Sequence, residues 1–176
     1  MLTADTVINT PVGQSAVLIV ENGQLDLNGH SLTTSNGSAV TIVFSGTNGA
    51  YTHGPADNTN GPGGVLDITP PGPNSGPWSG VAIYQDPSLT TGVDISAAGN
   101  SPTWNVTGLI YMPHATITLK GAIDKGTSGK SCVVMVADNF QISGTGGVLK
   151  TDIGQCAQAG LTMPTVRIAA RGQLVK

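Results

Sequence analysis

The sequence is poor in charged residues. Of its 176 residues, 10% are charged, and 7 Lys and Arg against 10 Asp and Glu give a formal net charge of -3. A charged fraction of about 25% is usual for a soluble domain. Arg167 and Arg171 lie close to the C-terminal end and the lysines are scattered, so the sequence has no basic patch. This distribution excludes electrostatic binding to nucleic acid, and we expect no nucleic-acid partner.

Long apolar runs are also missing. The longest are Ala16–Val20 and Cys132–Ala137, which have the length of strands, whereas a transmembrane helix needs about 20 apolar residues. We therefore expect no membrane segment in this chain. No basic segment followed by an apolar core opens the sequence, as a signal peptide would. Because the chain begins almost inside its first strand pattern, we expect it to be a fragment of a longer, anchored protein.

Cysteine is scarce, with Cys132 and Cys156 as the two examples. An even pair in a charge-poor chain favours a disulfide formed in an oxidising compartment. In the chain-entropy model, such a bridge stabilises the folded state by about 3 kcal/mol. The alternative is two buried free thiols that pack as small hydrophobes. No histidine lies at the spacing of a two-cysteine zinc site, so we predict no bound metal.

What the sequence has instead is a short strand module that ends in glycine. Ile117–Gly121 and Phe140–Gly144 each alternate apolar and polar residues before the glycine. Alternation at period two places the apolar side chains on one face of a strand. The repetition therefore predicts a protein of short repeated strands, in which Leu119, Phe140 and Trp104 fill inward positions. Further copies of the module are Leu25–Gly29, Ile42–Gly46, Trp104–Gly108 and, more loosely, Leu66–Gly72 and Val93–Gly99.

Asn-Gly pairs punctuate the first third of the chain. Asn22-Gly23 and Asn28-Gly29 bound one strand module, and three more pairs follow. Such pairs form hairpin turns or the corners of a coil. Short modules of stiff β-formers favour corners of a solenoid with about 20–25 residues per coil. We therefore expect one all-β domain over residues 1–176, built as a short parallel β-helix.

A segment rich in proline and glycine, residues 47–80, interrupts this pattern. Its prolines do not all fit inside a sheet, so we expect a loop that projects from the solenoid, with one strand at Val65–Ile68. Tyr51 and Trp78 flank the segment and, with Asp57, form a candidate partner-binding loop. The run that begins at Asp57 lacks the ligand pattern of a calcium loop, so we predict no cofactor and keep calcium as an alternative.

Several segments, taken in order, resemble known families. The stretch Leu25–Leu32 resembles the opening coils of right-handed parallel β-helix proteins of the pectin-lyase-like superfamily. A longer series of segments, which covers nearly the whole chain, resembles the C-terminal region of TadG-like proteins. These proteins are components of the Flp/Tad (tight adherence) pilus system. That series comprises Ala39–Gly46, Gly80–Pro87, Gly108–Pro113, Cys132–Asp138, Phe140–Gly144 and Cys156.

The TadG-like resemblance implies a non-enzymatic β-helical region displayed outside the inner membrane, beyond an N-terminal anchor. It implies periplasmic or cell-surface localisation, pilus or cell-surface proteins as partners, and a role in pilus assembly or surface adhesion. It transfers no catalytic residues. His114 departs from the family pattern, which often has Asn after the proline, and the anchor is absent from this sequence.

The alternative function is binding or cleavage of a polysaccharide. Asp26, Asp67 and Asp94 each lie between two apolar residues of a strand module, so they point outward, and stacked strands would align them in a row. Paired carboxylates are what glycoside hydrolysis requires. Outward aspartates also occur as simple solubilising residues. His30 and His53 fall in turn and loop segments, where we expect exposed side chains.

Overall fold

The computed structural model describes residues 1–56, 63–96, 103–120, 132–143 and 153–163. These residues form a mostly β structure, and two short 3-10 helices lie at Gly76–Trp78 and Ile153–Gln155. The strands are β1 Thr6–Ile8, β2 Ala16–Glu21, β3 Leu25–Asp26, β4 Ser31–Thr34, β5 Val40–Ser45, β6 Pro55–Ala56, β7 Val65–Ile68, β8 Val81–Gln85, β9 Val93–Ser96, β10 Thr103–Val106, β11 Gly108–Lys120 and β12 Val133–Ser143.

The described strands form three parallel sheets. Sheet A has the order β1-β4-β7-β10, sheet B the order β12-β11-β8-β5-β2, and sheet C pairs β3 with β6; β9 also pairs with β11. The first six strands visit the sheets in the order A, B, C, and then A, B, C again. Neighbouring strands of one sheet are therefore distant in sequence, which is the arrangement expected of parallel rather than hairpin connections.

The registers place the core between the sheets. In sheet B, Leu18 pairs with Ile42, Ile42 with Ile83, and Ile83 with Ile110. Ile42, Ile83 and Ile110 are each at most 1% exposed. In sheet A, Leu66 pairs with both Leu32 and Trp104. Trp104 is 3% exposed, which confirms its predicted inward position. Burial of each such side chain stabilises the fold by about 1.5–3 kcal/mol.

The first two Asn-Gly pairs are turns between strands of different sheets, not hairpins. Asn22 follows β2 with a φ of 49°, and Asn28 follows β3 with a φ of 50°. Both lie in the left-handed region, which asparagine tolerates better than most residues. The Asn22 side chain also joins two turns, because its Oδ1 accepts the backbone N–H groups of Thr47 at 2.8 Å and Asn48 at 3.1 Å. A Cβ on Gly46 would collide with this side chain.

The predicted disulfide is present between Cys132, just before β12, and Cys156, just after the second 3-10 helix. Both cysteines are buried, at 1% and 0% exposure. The bridge therefore fixes the described C-terminal segment against the start of β12. In the described part of the chain, no helix is long and apolar enough to cross a membrane.

Three predictions about burial are wrong. Asp26, predicted to point outward, is buried at 9% exposure. Phe140 is 44% exposed, although it pairs with the buried Ile117 of β11. β12 lies at the end of the sheet B order, where β11 is its one strand partner among the described residues. His53, predicted to be exposed, is fully buried. It lies next to β6, a strand in the expected loop that pairs with β3; the strand predicted at Val65–Ile68 is confirmed as β7.

Candidate functional site

The three aspartates of the predicted row lie on three different strands. Asp26 is in β3 and is 9% exposed. Its Oδ1 accepts the backbone N–H of Asn28 at 3.0 Å, an Asx turn that supports the following corner. Asp67 lies in β7 and Asp94 in β9, where its side chain is exposed. Among the described pairings, no two of these strands are partners. The structure does not bring the three carboxylates together.

Asp67 has a defined neighbour on the outer face of sheet A. Its Oδ2 accepts a hydrogen bond of 2.8 Å from Nδ2 of Asn105, which lies beside it in register on β10. On the other side, Thr33 of β4 occupies the matching position. A row of polar side chains therefore crosses three strands, with one carboxylate at its centre.

The structure describes only part of the predicted partner-binding loop. Tyr51 is 42% exposed, in the segment that precedes β6. Asp57 lies outside the described residues. Trp78 is half-buried and contacts Tyr84 of β8 edge to face, with ring centroids 5.5 Å apart. Trp78 therefore packs onto sheet B.

The outer side of sheet B carries an apolar row that sequence reasoning missed. Tyr84 and Tyr111 are in register on β8 and β11, and their rings stack with centroids 5.5 Å apart at an interplanar angle of 11°. Val43 lies beside Tyr84, Ile19 beside Val43, and Val136 beside Tyr111. Together with Trp78, these residues form what we call the aromatic face: Ile19, Val43, Trp78, Tyr84, Tyr111 and Val136.

A sequence signal for this face was available. The dipeptides Ile83-Tyr84 and Ile110-Tyr111 repeat an inward residue followed by an outward tyrosine. Because the two tyrosine rings stack on each other, each ring has one face covered by the other. Ile19 is 63% exposed and Val136 is 38% exposed, whereas Val43 is buried, at 9% exposure. The surface is thus an apolar strip with polar tips, a composition suited to contact with another protein.

A polar groove with a volume of about 630 Å³ lies on the side of sheet A. Thr33 and Asp67 contribute from the sheet, Thr69 and Thr107 from segments that follow strands, and Gln155 and Gln158 from the C-terminal segment. Among the described lining residues, Asp67 carries the one charge, and none is aromatic. The lining is rich in hydroxyl and amide groups, which both donate and accept hydrogen bonds.

One wall of the groove is the turn Ser35–Ser38. The hydroxyl groups of Ser35 and Ser38 are 2.7 Å apart, and Ser35 Oγ also donates to Oδ1 of Asn9 at 3.0 Å. The backbone N–H of Thr10 donates to Oγ of Ser38 at 2.9 Å. These bonds join the turn to the segment after β1, so the position of this wall is fixed by hydrogen bonds within the protein.

The disulfide lies at another part of the groove lining. Cys132 lines the groove, and Gln155 and Gln158 flank its partner Cys156. Gly160, with a φ of 88°, fits closely against the chain, and a Cβ there would lie 2.8 Å from the backbone N of Gly80. Thr107 also belongs to this side, and its Oγ1 is shielded from solvent with no hydrogen-bond partner. Such an unpartnered hydroxyl costs about 1–3 kcal/mol.

His53 belongs to a buried polar cluster with Thr91 and Gln85. The backbone N–H of His53 donates to Thr91 Oγ1 at 2.9 Å, and that hydroxyl lies 3.2 Å from His53 Nδ1. Gln85 Nε2 donates to the carbonyl oxygens of His53 at 2.8 Å and Thr91 at 2.9 Å. This cluster fastens the segment before β6 to sheet B, which explains the burial of His53.

Neither histidines nor carboxylates form a metal-like cluster in the described ranges, where no group of three His, Cys, Asp or Glu side chains converges. His30 Nδ1 lies 3.7 Å from the exposed Asp5 carboxylate. The carboxylate of Asp86, after β8, accepts hydrogen bonds from the backbone N–H and the hydroxyl of Ser88. The backbone bond and then the side-chain bond lower the pKa of Asp86 below its ordinary value of 3.8.

Comparison of the chain with protein-family models, with curated proteins and with solved structures finds no match.

Proposed function

We propose that this chain is a short right-handed parallel β-helix that serves as a non-enzymatic, extracytoplasmic module of a TadG-like protein, in pilus assembly or surface attachment. The repeated order in which the strands join sheets A, B and C supports the β-helix. In this architecture each passage through the sheets would be one coil. Coils stacked by parallel pairing make a rigid body whose outer surfaces are flat.

The disulfide supports the proposed location. Cys132 and Cys156 are both buried in the bridged form, and structural disulfides persist mainly in oxidising compartments such as the periplasm and the cell surface. The bridge would also resist thermal and mechanical opening of the C-terminal segment. Both properties suit a module that works outside the cytoplasm.

The aromatic face is the observation that carries the proposed role. Apart from Trp78, its residues lie in register across five strands, so their spacing is set by backbone pairing and changes little on binding. A preorganised surface loses little conformational entropy when a partner docks. Tyrosine and tryptophan are enriched in protein interfaces and among the residues that dominate binding energy. The proposed partner is a pilus or cell-surface protein with an apolar contact surface.

Polysaccharide cleavage through the row of Asp26, Asp67 and Asp94 is the other expectation. Cleavage requires that at least two carboxylates flank the same glycosidic bond. Asp26, Asp67 and Asp94 lie on strands that are not paired with one another. We therefore retain only the binding of a saccharide as a second function, and only at Asp67.

Site-specific photo-crosslinking in the cell that makes the full-length protein would test the display role. The crosslinker p-benzoylphenylalanine replaces Ile19 on the aromatic face in one strain and Val7 on sheet A in the other. The two positions are matched, at 63% and 61% exposure, and both lie on the first strand of their sheet. We expect a covalent adduct with a pilus or cell-surface protein from Ile19 and none from Val7. Equal adducts from both positions, or none from Ile19, would refute the role of this face.

A further inference from the structure

We propose that this protein associates with itself end to end, so that the outer edge of β2 in one copy pairs in parallel with the outer edge of β12 in another. β2 and β12 are the two end strands of sheet B. Within the described residues, β5 is the one strand partner of β2 and β11 is the one strand partner of β12. An edge strand presents a row of backbone N–H and C=O groups with which a further strand can pair.

The two edge strands lack the residues that usually prevent such pairing. Edge strands are commonly protected by lysine or proline, and neither residue occurs in Ala16–Glu21 or in Val133–Ser143. Each strand holds a single acidic residue, Glu21 at the end of β2 and Asp138 in the middle of β12. The rest of β2 is apolar, so its sequence does not oppose a neighbouring strand.

The apolar core is only partly covered at both ends of the sheet. Phe140 and Ile142 of β12 are 44% and 64% exposed, although they pair with buried residues of β11. A further layer of strands would bury this surface, and the burial of apolar surface favours association. Among the described residues, the half-buried apolar side chains that pack against the core belong to the segment that ends with β2 or to β12: Leu2, Ile8, Ala16, Leu18 and Val20 in the first, Met135 and Ala137 in the second.

The two edges match when the interior of the sheet is continued. A column of inward apolar residues crosses sheet B, with Leu18 at one end and Met135 at the other. A second copy that places its Leu18 beside Met135 extends this column from one molecule into the next. The same register places Ile19 beside Val136 on the outer face, where both side chains are exposed. The column consists of Leu18, Ile42, Ile83, Ile110 and Met135.

The backbone groups of β2 have the direction that this register requires. The N–H groups of Ala16 and Asn22 donate to carbonyl oxygens on the side of β5. Alternate residues of a parallel strand bond to the same neighbour. The backbone groups of Val17 and Ile19 therefore point to the outer edge of β2.

The backbone groups of β12 complete the match. Gly108, at the start of β11, donates its N–H to the carbonyl oxygen of Cys132, which directly precedes β12. By the same alternation, Met135 directs its N–H and C=O groups to the edge away from β11. In the proposed register, the Met135 N–H donates to the carbonyl of Val17 and the Met135 carbonyl accepts the N–H of Ile19. The side-chain column and the hydrogen bonds thus select the same register.

The two parts of the chain that carry these edges have opposite charge. Residues 1–119 contain seven Asp and Glu and no Lys or Arg, whereas residues 120–176 contain three Asp and all seven Lys and Arg. Their formal net charges are -7 and +4. Because the strands of sheet B follow chain order from β2 to β12, the acidic part includes β2 and the basic part includes β12. Asp5 and Glu21 are exposed close to β2 in the chain, and Lys120 is the last residue of β11.

This charge distribution identifies the occupant of each end as a second copy of this chain. An acidic end attracts a basic end and repels another acidic end, so copies meet head to tail. Each added copy presents the same open edge as the one before it. Such a contact continues along a line unless the rotation between copies closes a ring. It uses strand edges rather than the outer side of sheet B, so it goes beyond the function proposed for the aromatic face.

Sedimentation velocity at increasing protein concentration tests the proposal. The 17.7 kDa chain should form species whose masses are multiples of the monomer, with a Kd of about 0.1 mM or tighter in about 20 mM NaCl. Raising the salt to about 500 mM should weaken association severalfold, because screening shortens the range of the attraction between charged ends. A wild-type protein that stays monomeric at about 1 mM in low salt would overturn the proposal. A closed dimer that does not grow would also overturn it.

Proline substitutions block one edge at a time. I19P removes an N–H that points to the outer edge of β2, and M135P does the same on β12. Proline is tolerated on an edge strand where the N–H faces solvent, and thermal unfolding checks that each variant folds. Each should weaken association about tenfold or more, whereas the matched controls I19A and M135A, which lose the same side chains and keep the N–H groups, should weaken it less than about threefold. Folded I19P or M135P that associates as strongly as wild type would contradict the proposed edges.

A mixture of the two proline variants tests the head-to-tail geometry. I19P retains the β12 edge and M135P retains the β2 edge. An equimolar mixture should therefore form a heterodimer and no larger species, although each variant alone stays monomeric. If the folded variants form no heterodimer, head-to-tail pairing is wrong.

A charge variant provides a test that does not depend on proline. E21K reverses an exposed charge at the end of β2 and should weaken association about threefold or more in low salt, with little effect in high salt. D94K is the matched control, since it makes the same charge change at an exposed position on β9. Equal effects of the two variants would overturn the role of the charged ends. A photo-crosslink from Ile19 to a second copy has the mass of two chains, which distinguishes it from an adduct with a pilus or cell-surface protein, so the two proposals fail separately.

Discussion

Tyr84 and Tyr111 stand at the same position of adjacent parallel strands, and their rings stack 5.5 Å apart and nearly parallel. The pair joins β8 to β11 on the outside of sheet B, opposite the buried pair Ile83 and Ile110 on the inside. The same strand contact is thus stabilised on both of its faces. Cross-strand aromatic pairs contribute energy beyond the area they bury.

A double-mutant cycle should detect this stacking. Tyr84→Ala and Tyr111→Ala should each lower the free energy of unfolding, and their coupling energy should be about 0.5–1.5 kcal/mol. Urea unfolding of the four proteins gives the measurement. Tyr51→Ala, at an exposed position with no ring contact described, is the control and should change stability by less than about 0.5 kcal/mol. Additive effects of the two tyrosine substitutions would contradict the stacked geometry.

Leu119 and Ile142 form a second informative pair. They are in register on β11 and β12, yet Leu119 is 4% exposed and Ile142 is 64% exposed. Leu119→Ala should destabilise by about 2–5 kcal/mol, because it leaves a cavity. Ile142→Ala should cost less than about 1 kcal/mol, because its side chain is already mostly in solvent. Thermal or urea unfolding separates the two. Equal losses would mean that Ile142 is covered in solution.

Reduction should lower thermal stability. The Cys132–Cys156 bridge closes a loop with a sequence separation of 24 residues, for which the entropic contribution is about 3 kcal/mol. Melting curves with and without reductant test this directly. The double variant Cys132→Ala with Cys156→Ala should melt at the same temperature in both conditions. If reductant leaves the melting temperature of the wild-type protein unchanged, the bridge does not form in solution.

Acid should weaken the fold through Asp86. Hydrogen bonds from Ser88 lower its pKa in the folded state below 3.8, so the folded form binds fewer protons than the unfolded form in this range. The stabilisation is complete above the unfolded pKa and is lost as the pH falls through the folded pKa. Unfolding free energies measured between neutral pH and strong acid should therefore fall less steeply below pH about 4 in Asp86→Asn than in wild type. Asp94→Asn serves as a charge-matched control. If Asp86→Asn follows the wild-type curve, the Ser88 bonds are absent in solution.

The fold was predictable to the extent that it depends on local pattern. Alternating residues identified the inward position of Trp104 and the strand Val65–Ile68, and the even cysteine count identified the disulfide. Burial at Phe140 was not predictable in this way, because it depends on which strand faces it from across the interior. His53 was missed because its burial results from distant bonds to Gln85 and Thr91.

The candidate sites were harder to predict than the strands. The outward position of Asp67 follows from its strand pattern, but its bond to Asn105 requires the register of β7 and β10. The groove also requires the segment around Cys156, which is remote from Asp67 in sequence and is linked to Cys132 by the disulfide. The expected row of aspartates failed because it assumed one shared sheet. Local patterns specify the face of a strand on which a residue lies but not the sheet to which that strand belongs.

The parallel pairing of sheet B has a consequence for how the protein folds. Ala16 pairs with Val40, and Leu109 pairs with Val134. Each of these two strand pairings closes a loop of the chain, and the two loops have similar lengths. Since closure entropy depends on loop length, the barrier to adding a strand should differ little between these steps. Folding can then propagate from one neighbouring strand to the next, and a nascent chain could add strands to the sheet in the order in which they are synthesised.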